Sequence, residues 1–153
     1  MWPFKKKISI EDVVLGTFQA IPSDIKHFAS VNNTSDRPIN IELGQLAPTI
    51  PAMTLFFLSE RLKDDHEKML RAFNATWQAI TSAGHAVEPA RMWFDIFNEQ
   101  LLTGQGQSRV VMVTSAIHRM YDIESSNPAN SPILFLAASV NSSLNKLDQM
   151  TIV

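Results

Sequence analysis

Apolar residues recur at close to helical spacing along most of this chain. From Thr54 to Ser82 the spacing predicts one long helix, closed by Gly84. Its buried row, taken at about 3.6 residues per turn, runs Leu55, Leu58, Leu62, His66, Met69, Phe73, Trp77 and Ile80. A histidine thus falls in the middle of a row expected to be buried. On the other side, Arg61 and Asp65, Asp64 and Lys68, and Glu67 and Arg71 are oppositely charged pairs four residues apart, the spacing of neighbours on a solvated helical face.

The remaining pattern breaks into shorter pieces. Ser9 caps a first helix with Glu11 and Asp12 in its opening turn, where the helix dipole favours acidic groups. The apolar positions Ile10, Val13, Val14, Phe18 and Ile21 follow, and Pro22 ends the helix. Ser23 reads as the cap of a short second helix through Ile25, Phe28 and Ala29, after which "VNNTSDRP" is loop by composition. Pro89 opens a helix running to about Leu102, "TGQGQS" connects it onward, and Ser108 caps a segment carrying Val110, Val113, Ile117 and Tyr121 on one face. After the loop "ESSNPANSP", Ser131 and Pro132 form a cap and first-position pair for a last helix with Ile133, Ala137, Val140, Leu144 and Leu147 as its stripe. The first two turns of that helix are apolar all round, which places them centrally.

These elements predict an all-α fold, a compact bundle of about six helices, with residues 9–153 as a single helical domain behind an aromatic and basic arm at residues 1–8. The alternating Ile39, Ile41 and Leu43, the β-branched "VVMV" at 110–113 and the apolar start at 133 leave one competitor open. It is an α+β domain pairing 39–43, 110–114 and 133–137 in a short sheet. At 153 residues the chain is of single-domain size.

Composition narrows the chemistry. Hydrophobic residues make up 45% and charged residues 18%, so the polar surface leans on Asn, Gln, Ser and Thr. A net charge of −2 gives no broad field for nucleic acid, which is not expected as a partner. With no cysteine there is no disulfide, thiolate metal site or cysteine nucleophile. The longest apolar run, "ILFLAA" at 133–138, is far short of the roughly 20 residues of a membrane span. The opening "MWPFKKK" lacks the apolar core of an export signal, so the expected location is cytoplasmic, with possible peripheral attachment at the inner face of a membrane.

Catalytic motifs do not emerge. Asp24 with His27 and His118 with Asp122 sit at helical spacings, but neither pair has the companion motif a metal needs, and no metal or cofactor is expected. The "TGQGQS" segment lacks the lysine and spacing of a phosphate loop. Asp95 and Glu99, four apart, read as surface solvation. His66, with Trp77 or Trp93 beside it, is the candidate ligand-binding residue, although a lone imidazole is more simply a satisfied core group.

Two surfaces remain as candidates. Trp2 and Phe4 beside Lys5, Lys6 and Lys7 could rest on an anionic membrane, each lysine contributing about 1 kcal/mol near the headgroups. On the helix "EPARMWFDIFNEQLL", Met92 and Ile96 project away from Ala90, Trp93, Phe94, Phe97 and Leu101, and Phe57 does the same on the long helix. Met92, Ile96 and Phe57 are therefore the expected contacts with a partner. The function expected is a non-enzymatic protein-binding role, of inhibitor, immunity or adaptor type, toward another protein or a second copy. Membrane docking by the arm and a His66 ligand site are the alternatives.

Overall fold

The computed structural model describes residues 5–36, 38–123 and 130–153. It is an all-α bundle. The described helices are α1 (Ile10–Gln19), α2 (Ile21–Thr34), the single turn α3 (Leu43–Leu46), α4 (Thr49–Leu62), α5 (His66–Ser82), α6 (Glu88–Thr103), α7 (Arg109–Met120) and α8 (Pro132–Ser143). A 3-10 turn, Asn145–Gln149, follows α8.

Helix α4 forms the axis. Its residues from Thr49 to Leu58 are all buried, including Leu55, Phe56, Phe57 and Leu58. A helix apolar all round must be enclosed by its neighbours, and α1, α5, α6, α7 and α8 all pack against it. The threonines in this stretch are tolerated because their hydroxyls donate back along the chain, Thr49 to the Leu46 carbonyl at 2.5 Å and Thr54 to that of Ile50 at 2.9 Å. Each large apolar side chain so enclosed contributes roughly 1.5–3 kcal/mol.

Arginines tie the rim to this axis. Arg109 donates to the Phe56 carbonyl at 2.8 Å and the Ser59 hydroxyl at 2.6 Å, pairs with Glu60 at 3.1 Å and lies over the Phe56 ring. Arg61 reaches the Asn141 side chain at 3.0 Å and that of Asn145 at 2.7 Å, fixing the end of α4 against the end of α8.

The long helix expected over 54–82 is two helices. Lys63 adopts φ 45°, ψ −110°, which stops α4, and Asp65 then caps α5 by accepting from the Lys68 amide at 3.1 Å. The break resets the helical register, so His66 is the first residue of α5 and is exposed rather than part of a buried row. The charged pairs are redistributed accordingly. Lys68 meets Asp65 three residues away at 3.1 Å, and Arg71 makes a two-point contact with Glu11 of α1 at 2.8 and 2.6 Å.

The second helix also differs from expectation. It begins at Ile21 with Pro22 in its first turn, where a missing amide costs nothing, so Ser23 is inside the helix and "VNNT" continues it. The caps at Ser9, Ser108 and Ser131 are as expected, each accepting from an amide of its helix.

Residues 110–114 and 133–137 are helical, and 39–43 is irregular up to the start of α3, so the sheet considered for these segments does not form. Among the described residues the sheet is instead a parallel pair, β1 (Lys6–Ile8) with β2 (Met150–Ile152), joining the two ends of the sequence.

Candidate surface on the α5–α6 hairpin

Helices α5 and α6 are consecutive and antiparallel: Trp77 neighbours Arg91, while Phe73, one turn earlier, neighbours Phe94, one turn later. Their extensive contacts are nevertheless with other helices. Those of α5 are with α1 and α4, and those of α6 are with α4 and α7. What spans between the two is aromatic. Phe73 stacks on Trp77 at 6.0 Å, meets Phe94 edge-on at 5.0 Å, and the Arg91 guanidinium lies 5.2 Å from the Trp77 ring. Such edge-on and cation–π contacts hold rings in place without enclosing them.

At about 100° per residue, His66, Leu70, Phe73 and Trp77 fall within an arc of about 60° on α5, and Phe94, Leu101, Asn98 and Arg91 within about 80° on α6. These stripes face one another across a furrow. Phe73, Trp77 and Phe94 are half-buried, whereas Leu70 is 60% exposed and Leu101 39% exposed. Leu102, next to the furrow, is 81% exposed. Nothing in the core calls for leucine at these positions, and several large apolar side chains in a row on a surface mark a contact site more often than chance.

The residues expected to carry function are placed as follows. Trp77 lines the furrow and His66 stands at its far end, exposed, so neither is enclosed with the other in a pocket. Met92 is 48% exposed, but it and Ile96 lie on the opposite flank of α6, more than about 140° from Phe94 and Leu101. Ile96 is partly buried against the core. Phe57 is only 1% exposed, so its side chain belongs to the interior, because the register of α4 is surrounded on every side. Trp93 is buried and stacks on Tyr121 at 6.0 Å. Lys5, Lys6 and Lys7 are exposed, while Trp2 and Phe4 lie outside the described residues. Spacing does not single out Leu70 or Arg91 and groups Phe94 with the inward side of α6, because periodicity alone does not distinguish a half-open stripe from an enclosed one.

Other polar groups resolve into structural roles. His118 is buried with its Nε2 2.6 Å from the Ser131 hydroxyl, which also accepts from the Ile133 amide at 3.2 Å. One hydroxyl thus both holds the imidazole and caps α8, and burial pushes the His118 pKa down. Asp122, expected to face His118, lies beyond the end of α7 and is exposed, with φ 50°. Asp24 is pushed up by burial, partly offset by the charge of His27. Asp95 and Glu99 are both exposed. Among the described residues no group of three or more His, Asp or Glu converges as metal ligands.

In the connection between α6 and α7, Gly106 is left-handed at φ 81° and Gly104 is buried against Met112. A cleft lined by Val14, Phe18, Ile50 and Thr76 has room for about one water molecule. No described helix is long and apolar enough to cross a membrane. No protein-family model, curated protein or solved structure matches this chain.

Proposed function

We propose that this protein is a non-enzymatic binding module, of adaptor or immunity type and working in the cytoplasm, that takes an amphipathic helix of a partner protein into the α5–α6 furrow. The observation that carries this reading is the row formed by exposed Leu70, half-exposed Phe73 and Trp77, and Phe94 with exposed Leu101 opposite. Two splayed antiparallel helices with an apolar floor offer the geometry in which a third helix buries its i, i+3, i+7 residues. The rings are pre-ordered by their mutual contacts, so little side-chain entropy is lost on binding. An open furrow suits a macromolecule better than a small ligand, which needs enclosure over most of its surface.

The test is photo-crosslinking in the native cell, with a photoreactive residue at position 70 or 101 and a control at exposed Ser142 on α8. The reading expects one discrete adduct from positions 70 and 101, mapping to a helical segment of the partner. Equal or diffuse labelling from all three positions would overturn it.

A further inference from the structure

We infer that the outer edge of β1 is a second docking site, which takes an extended acidic segment of another protein as a third strand. The direction of every backbone group on this strand follows from two hydrogen bonds. The Val153 amide donates to the Ile8 carbonyl at 2.8 Å, and the Ile10 amide donates to the Val153 carbonyl at 3.1 Å. In a parallel ladder this means that the even-numbered residues of β1 turn their amides and carbonyls toward β2. Lys7 therefore turns its amide and carbonyl outward, as Lys5 does its carbonyl just before the strand, and among the described residues no further strand meets them.

A two-stranded parallel pair is short of the strands such an arrangement usually has, and a free edge is a template for strand addition. The lysines decide which strand fits. Side chains alternate between faces, so Lys5 and Lys7 share the solvent face, while Ile8, paired with Ile152, packs toward the core. An incoming strand would thus place acidic residues beside Lys5 and Lys7, and apolar residues on the side of Ile8 and Ile152. Acid–apolar–acid alternation is the chemistry this edge selects. A flat anionic membrane is matched less well, because Lys6 points to the face opposite Lys5 and Lys7.

The experiment is fluorescence anisotropy on the full chain with a fluorescein-labelled Glu-Val-Glu-Val-Glu peptide, the same peptide N-methylated along its backbone, and a Lys-Val-Lys-Val-Lys peptide. Lys7→Pro removes the outward amide without touching the β1–β2 ladder, and Lys7→Gln removes the charge alone. Thermal melting establishes that both variants fold. Saturable binding of the acidic peptide is expected, at least tenfold weaker after N-methylation or with Lys7→Pro, and weaker at higher salt, with the basic peptide inert. Absence of binding, or equal binding by the N-methylated peptide and the Lys7→Pro variant, would overturn strand addition. So would binding to phosphatidylserine vesicles in place of the peptide.

Discussion

At the residue scale the informative groups are those whose surroundings differ from what their spacing implied. His66 looked like the anomaly and is an ordinary exposed first-turn residue, whereas His118 is the buried imidazole, held by Ser131. Burial lowers the His118 pKa from 6.5, so the folded protein keeps it neutral where an unfolded chain would already bind a proton. Its contribution to stability is present above the ordinary histidine range and is lost as pH falls through the lowered value. The lowered carboxylates of Glu11 and Asp65 act in the same direction, but starting from 4.5 and 3.8 they weaken the fold only at more acid pH. Replacing His118 with Gln, which can still bond Ser131, should therefore flatten the fall in urea midpoint just below about pH 6.5 and leave the deeper acid limb intact. An unchanged slope in that window would show that another group titrates there.

At the element scale, local chemistry was legible and long-range geometry was not. The caps at Ser9, Ser108 and Ser131 could be read because a cap needs only its own first turn. The fully apolar start of α8 likewise announced its central position. No Gly or Pro marks the break at Lys63; the weak helix formers Asp64, Asp65 and His66 do mark it, but their opposite-charge spacing to Arg61 and Lys68 fits a continuous helical face equally well. Its cause is a left-hand backbone value at Lys63 followed by the Asp65 cap. The β1–β2 pair was equally hidden, because three residues at each end of the chain carry no alternation long enough to recognise. Lys63→Gly separates the two accounts of this region by sign. With positive φ at position 63, glycine relieves strain of roughly 1–3 kcal/mol against about 0.4–1 kcal/mol of added unfolded-state freedom, for a net gain of about 1 kcal/mol. In an unbroken helix the same change would cost about 1 kcal/mol. Equilibrium urea unfolding distinguishes gain from loss.

For the whole molecule, a central helix buried from Thr49 to Leu58 collects the packing of α1, α5, α6, α7 and α8, which frees the α5–α6 hairpin from having to close on itself. Its facing stripes therefore remain partly open, and that openness is the basis of the binding role proposed above. The spacing of Met92, Ile96 and Phe57 led to a protein-binding expectation, but Phe57 falls in the core because α4 is enclosed on every side there, and the furrow lies on the flank of α6 away from Met92.

The most direct measurement compares what is recovered with the C-terminally tagged chain from native lysate for the wild type, for Leu70→Glu with Leu101→Glu, and for Met92→Glu. All three positions are exposed, so each variant should fold with nearly unchanged stability. The account predicts one stoichiometric partner with the wild type and with Met92→Glu, and its loss when Leu70 and Leu101 carry charge. Retention of that partner by the double variant, or its loss with Met92→Glu alone, would contradict binding in the furrow.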